Sequence, residues 1–134
     1  MKYLLDTHYI LWTLFEPDKL GSEVLSIFNN ENDAKFVSGI NFWEISLKFS
    51  LGKLSLDGIK PDQIFDKILE SGFDVINITN EVLVSYYRLP KKENHRDPFD
   101  RLLIWQSIFH GYTLITKDKL IEQYISDGLN VKII

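Results

Sequence analysis

The sequence contains no cysteine, which excludes disulfides, thiolate metal sites and a cysteine nucleophile. Histidine occurs only at His8, His95 and His110, and no two are spaced as a zinc-binding pair. No apolar run approaches the roughly 18 residues of a membrane span, so no membrane role is expected. The opening MKYLLD meets an acid too early for a secretory signal, which makes an unprocessed cytoplasmic protein the expectation. Positive charge is not in excess either. The formal net charge of -4 argues against bulk electrostatic binding of nucleic acid. It leaves room for an enzyme that holds phosphates through a cation, because a bound cation inverts the local charge.

The chain does have the makings of a core. Its 134 residues suit a single domain over 1–134, and 45% hydrophobic with 25% charged residues excludes wholesale disorder. Apolar periodicity alternates between two kinds. Residues 2–5, KYLL, read as a buried strand that stops at Asp6. His8, Leu11, Trp12 and Phe15 then fall on one helical face, and Glu16-Pro17-Asp18 ends that helix. A helix is expected over 21–30, a strand over 35–38, and a helix capped by Asn41 and closed by Gly52. Pro61 opens the next helix, which ends before Gly72. A strand over 73–78 follows, then a helix capped by Thr79 and ending at Leu89-Pro90. Asp97-Pro98-Phe99-Asp100 has N-cap chemistry and starts a helix that stops at Gly111. A strand over 112–115, a short helix after Thr116-Lys117-Asp118, and a strand over 131–134 complete the chain. Such alternation predicts an α/β sandwich of three layers: a mostly parallel central sheet with helices on both faces.

In parallel sheets, ligands bind beyond the carboxyl ends of the strands. Asp6 ends the first strand, and Asp118 follows the fourth, just behind Thr116. Asp97 and Asp100 open the helix that feeds that fourth strand, and Glu44 lies one turn into the helix after the second. Each acid alone has an ordinary explanation. Asp6, Asp97 and Asp100 suit helix caps, Asp118 suits a turn, and Glu44 suits an i, i+4 pair with Lys48. Their joint position is what points to function. Two carboxylates about 5 Å apart repel by roughly 3 kcal/mol at an effective dielectric near 20. Several such pairs require protonation or a cation. Hard oxygens without histidine or thiolate suit Mg2+ or Mn2+, which can orient an attacking water and stabilise charge on a phosphoryl oxygen. The basic stretch Arg88, Lys91, Lys92, Arg96 and Arg101, with His95, suits a phosphate-bearing substrate, and Arg96 and Arg101 are the candidate phosphate contacts.

Four segments carry a resemblance: LLDTHYILW at 4–12, VSGINFWEISLKFSLGKL at 37–54, HRDPFDRLLIWQS at 95–107 and LITKDKLIEQY at 114–124. The chain resembles a PIN domain of the PilT N-terminal type, in particular the VapC-like toxins of toxin–antitoxin pairs. That resemblance implies a PIN-like three-layer sandwich, a Mg2+- or Mn2+-dependent endoribonuclease acting on RNA, a homodimer, and a cognate antitoxin partner. It places the acids of the site on Asp6, Glu44, Asp100 and Asp118, with Glu44 a ligand through water or a proton acceptor. Asp97 matches the extra acid of an H-x-D-P-F-D branch, and Thr116 a hydroxyl that positions the neighbouring acid or a water. Trp105 stands where the family has a small residue, so an altered helix contact is expected. The aromatic residues Trp12, Phe15 and Phe28 are the expected groove for an antitoxin segment.

Competing frameworks fit less well. A haloacid-dehalogenase phosphatase needs a second Asp two residues after the first, where this chain has His8. A receiver domain needs a phosphoacceptor Asp after the third strand, where this chain has Thr79-Asn80-Glu81. An α/β interaction module whose acids are only caps is the non-enzymatic alternative.

Overall fold

A computed structural model describes residues 1–134. Strand β1 (Lys2–Leu5) leads into α1 (Thr7–Phe15), then α2 (Ser22–Phe28), β2 (Ala34–Ser38), α3 (Gly39–Ser50) and α4 (Pro61–Glu70). After β3 (Asp74–Ile76) and α5 (Asn80–Ser85) come a 3-10 turn (Tyr86–Arg88), α6 (Pro98–His110) and β4 (Thr113–Thr116). A 3-10 helix (Lys119–Asp127) and β5 (Asn130–Ile133) close the chain. All five strands are parallel, in the order β3-β2-β1-β4-β5. A parallel neighbour can be reached only by a crossover, so helices cover both faces and the fold has three layers.

The pleat of β1 divides the core. Tyr3 and Leu5 pack with Ile10, Ile45, Ile64 and Ile68 on one face, whereas Leu4 packs with Leu103, Ile104, Leu114 and Tyr124 on the other. The strand order reverses between β1 and β4. There the crossovers leave in opposite directions and a crevice opens beyond the strand ends. Asp6 lines it, and the fully buried Thr116 lies behind Asp6.

Several local expectations need correction. The cap of α3 is Ser38, not Asn41: its hydroxyl accepts from Ile40 N–H and donates to Gln106 Oε1 at 2.6 Å. Asn41 instead sits inside the first turn as the reciprocal partner, accepting from Ser38 N–H at 2.8 Å. On α1 the deeply buried side chains are Tyr9 and Ile10, while His8, Leu11, Trp12 and Phe15 are only half-buried. The helix is apolar nearly all round, and its deepest face is the one laid on the sheet. The third strand is shorter than 73–78, and Leu56 enters the core from a loop. Asp97 caps α6 as its sequence suggests, with Pro98 at the first position and Gly111 closing the helix at φ 73°. Trp105 joins α6 to α5, its Nε1 donating to Ser85 Oγ at 3.0 Å and to Val82 O at 3.2 Å.

Asn41 fastens the start of α3 to the end of β1, because its Nδ2 donates to Leu5 O at 3.1 Å and to Thr7 Oγ1 at 2.9 Å. It is fully buried, so truncation leaves polar groups unpaired away from water. Asn41→Ala is expected to destabilise the fold by about 2–3 kcal/mol, read as a lower urea midpoint with an unchanged slope. A loss within the error of the fit would contradict this role.

Candidate active site

A cavity of about 580 Å3 opens beyond β1 and β4, lined by Asp6, Glu44, Asp97, Asp100 and Asp118. Three lysines, Lys48, Lys53 and Lys117, share its rim with His8. The acids anticipated from sequence are therefore brought together in one crevice. Their local roles as caps hold as well. Asp97 Oδ1 accepts from Phe99 N–H at 2.9 Å and from Asp100 N–H at 3.2 Å. Asp118 Oδ1 accepts from Leu120 N–H at 3.0 Å. Capping fixes the backbone and one oxygen of each side chain, and so helps aim the acid.

Asp6 is the most constrained of the set. Its Oδ1 accepts from Thr7 N–H at 2.7 Å and its Oδ2 from the Thr116 hydroxyl at 2.7 Å. The same Thr116 oxygen accepts from Asp118 N–H at 3.1 Å. One fully buried hydroxyl thus ties the acid after β1 to the acid after β4. His8 Nδ1 lies 3.5 Å from Asp6 Oδ2, a basic neighbour that sequence spacing alone does not bring forward.

Glu44 is held from both sides. The Thr7 hydroxyl donates to Oε1 at 2.5 Å, and Lys48 Nζ meets Oε2 at 2.5 Å. The i, i+4 pair with Lys48 is real, yet Glu44 is only 7% exposed, so the pair belongs to the pocket wall. Thr7 is in turn oriented by Asn41. The sequence gives neither residue a part in the site, and it offers Asn41 only as a helix cap. The signal available was a polar Asn41 set between the apolar Ile40 and Phe42 on a buried helix.

Electrostatics agree with the crowding. Asp100 is pushed up to about 8, first by burial and then by the charges of Asp6, Asp97, Glu44 and Asp118. Asp6 is also raised, mainly by burial, although His8 and the Thr116 hydrogen bond pull the other way. Burial drives His8 and His95 down from the ordinary imidazole value. A carboxyl that stays protonated at neutral pH marks a place where a further positive charge is favourable. The donor set is oxygen-rich, which suits Mg2+ or Mn2+. His95 Nε2 and oxygens of Asp100 and Asp118 lie within 4.8 Å of one another, close enough to surround one ion.

Arg101 requires a correction. It is buried, and its guanidinium donates to Tyr86 Oη, Tyr124 Oη, Leu89 O and Pro90 O. With Nε, Nη1 and Nη2 all engaged, it anchors the loop before α6 and is not free to take a phosphate. Arg96 is exposed and lines an adjoining cavity of about 420 Å3 with Lys91, Lys92, Glu93 and His95. Lys92 there is paired with Asp127 at 3.0 Å. The aromatic groove also divides differently. Trp12 and Phe15 line a cavity of about 450 Å3 beside the crevice, with His8, Leu11 and Leu54. Phe28 turns away and packs edge-on against Phe73 at 5.2 Å.

A family described as PIN domain matches residues 3–125. Among solved structures, VapBC2 from Rickettsia felis, bound to a DNA fragment from their promoter, matches at 18% identity with a TM-score of 0.72, covering 98% of this chain and 98% of that one. DNA-bound VapBC from Salmonella typhimurium matches at 16% identity and a TM-score of 0.69, covering 98% of this chain and 97% of that one. VapBC-1 from nontypeable Haemophilus influenzae matches at 22% identity and a TM-score of 0.68, with coverage of 98% and 97%. At such identities the structural likeness shows the fold. A search among curated protein sequences finds no match.

The raised Asp100 makes a stability prediction. The folded chain keeps a proton up to about pH 8 that the unfolded chain loses near the ordinary carboxyl value of 3.8. Between those limits the folded state binds more protons, so this contribution is full below the lower value and is lost as pH rises through the upper one. The metal-free melting temperature is therefore expected to fall across that window. Asp100→Asn is expected to flatten the fall. Mg2+ or Mn2+ is expected to raise the melting temperature in proportion to the logarithm of its concentration, more at pH 8.5 than at pH 6. Identical slopes in the two chains would contradict the assignment to Asp100.

Proposed function

The chain belongs to the PIN domain family, and from that premise we propose that it is a VapC-like toxin, an endoribonuclease that hydrolyses RNA phosphodiester bonds with Mg2+ or Mn2+. The observation that carries this reading is the convergence of Asp6, Glu44, Asp100 and Asp118 in one crevice where Asp100 is held protonated to about pH 8. Four acids that repel one another while lying on separate elements are poorly explained by capping alone. Asp6, Asp100 and Asp118 would hold the metal, with Asp97 a further oxygen at the crevice edge. When bound, the ion would lower the pKa of a coordinated water and offset charge on the phosphoryl oxygens.

The chain's own residues supply the rest. Thr116 holds Asp6 Oδ2 and the Asp118 backbone in one register, which keeps two acids from opposite ends of the sequence at fixed separation. Glu44 is aimed by Thr7 and Lys48, and serves as the acceptor for a proton of the attacking water. Lys53, Lys117 and Arg96 offer positive charge around an otherwise acidic crevice, where an RNA backbone needs it. Lys117 also lies 4.8 Å from the Trp12 ring centroid, which positions it at the crevice edge. In-line attack by water leaves a 5′-phosphate and a 3′-hydroxyl, with no part for the RNA 2′-hydroxyl.

We read the chain as a single PIN domain acting in the cytoplasm and controlled by a cognate antitoxin. The neighbours solved as VapBC assemblies support such a partner. Trp12 and Phe15 beside the crevice suit an apolar anchor of an antitoxin segment, and the acids beyond suit a basic side chain. Leu83, Val84 and Tyr87 near α5 and Phe109 on α6 are exposed, and a second copy of the chain is the proposed cover. No helix is long and apolar enough to cross a membrane.

Asp6→Asn and Asp100→Asn are each expected to lower Mn2+-supported cleavage of single-stranded RNA by about 100-fold or more, with circular dichroism unchanged. Full activity in a folded Asp6→Asn chain would remove Asp6 from the mechanism. A wild-type chain that binds metal and leaves RNA intact would favour the interaction-module alternative.

A further inference from the structure

His95 is 5% exposed, yet its Nε2 has no hydrogen-bond partner. That nitrogen is 3.7 Å from Asp100 Oδ2 and 3.8 Å from Asp118 Oδ2, beyond direct hydrogen bonding. Two chemistries compete for it. The lone pair of Nε2 can face a metal, or Nε2 can carry a hydrogen and face an oxygen atom.

The far side of the ring decides between them. His95 Nδ1 is 2.9 Å from Tyr124 Oη, and Tyr124 Oη accepts from Arg101 Nη1 at 2.9 Å. Arginine has no acceptor, so it cannot take the phenolic hydrogen. Tyr124 is fully buried, and His95 Nδ1 is the one acceptor its hydroxyl meets. The phenol must donate to Nδ1, which leaves the single hydrogen of a neutral imidazole on Nε2. A metal-bound Nε2 would need the opposite arrangement, with Nδ1–H donated outward and the phenolic hydrogen stranded. Arg101 cannot swing away to relieve that conflict, because Tyr86, Leu89 and Pro90 hold it through Nε, Nη2 and Nη1.

We propose that His95 is a water-positioning residue and not a metal ligand: the chain Arg101–Tyr124–His95 fixes the Nε2–H tautomer, and Nε2–H holds the oxygen of a water lying between Asp100 and Asp118. That water accepts from His95 and directs one hydrogen toward the Asp100 and Asp118 carboxylates, which leaves the other for Glu44 and a lone pair for the phosphorus. This deepens the nuclease reading and rests on it for the identity of the attacked atom. It also gives the buried Arg101 a purpose in the site that does not require contact with phosphate.

Long-range 1H–15N correlation spectra of the 15N-labelled chain test the tautomer directly, since only three histidines contribute. His95→Gln identifies the signals by their loss. The expected result is the Nε2–H tautomer both without metal and with saturating Mg2+, shifting to a mixture of tautomers in Tyr124→Phe. An Nδ1–H tautomer, or a displacement of Nε2 on adding Mg2+, would overturn the proposal. Calorimetric titration with Mn2+ is expected to give His95→Phe the same affinity as wild type within about twofold, and a tenfold loss would mark a ligand instead. In RNA cleavage His95→Phe is expected to lose about 100-fold in kcat with KM little changed. His95→Gln, which keeps an N–H at similar reach, is expected to lose less than tenfold. A loss carried by KM would assign the N–H to a ground-state phosphate and overturn the water assignment. A wild-type chain silent on RNA that still shows Nε2–H refutes the nuclease reading, whereas a wrong tautomer in an active chain refutes this one.

Discussion

Mutual repulsion among carboxylates is the constraint on which the rest of the structure turns. Asp6, Glu44, Asp97, Asp100 and Asp118 meet in one crevice, and the fold must keep them there against their own charge. It does so by several local means. Asp100 keeps its proton to about pH 8, Glu44 is paired with Lys48, and Asp6 is bound by two hydrogen-bond donors. Each device lowers the electrostatic cost without removing the oxygen atoms that a cation would use. The crevice is thus tolerable when empty and more favourable when filled.

The position of the crevice follows from topology. Where the order of a parallel sheet reverses, adjacent crossovers depart to opposite sides and leave the strand ends uncovered. In this chain the reversal falls between β1 and β4, and Thr116 at the end of β4 bonds directly to Asp6 at the end of β1. The same hydroxyl receives the Asp118 amide, so strand register and acid placement are a single feature. Around this point a second layer of uncharged groups does the aiming. Asn41 orients Thr7, Thr7 orients Glu44, and Tyr124 orients His95.

Much of this was legible in the sequence, for identifiable reasons. Short, mostly apolar runs revealed β1, stopped by Asp6, and β4, set off by Gly111, because buried parallel strands need no alternation. Asp97-Pro98 and Gly111 marked both ends of α6 because capping is local chemistry. The grouping of the acids was also accessible, since parallel topology fixes which strand ends meet. What escaped detection depended on three-dimensional context. Arg101 sits in a basic stretch and resembles a phosphate contact, but burial and four acceptors make it an anchor. Ser38 and Asn41 both suit a helix start, and only the backbone shows which is the cap. Phe28 and Trp12 share an early aromatic cluster in sequence, yet they pack in different places. The environment of His95 arises from Tyr124, 29 residues later, which no local pattern reveals.

The central claim is that one crowded carboxyl gives up its proton when a divalent cation enters. Calorimetric titration of the wild-type chain with Mn2+ at pH 7, repeated in buffers of different ionisation enthalpy, measures that proton directly. Because Asp100 is held near 8 in the absence of metal, binding should release about one proton per ion, and the observed heat should vary with the buffer accordingly. Binding heats independent of the buffer, or no binding at millimolar Mn2+, would contradict the account.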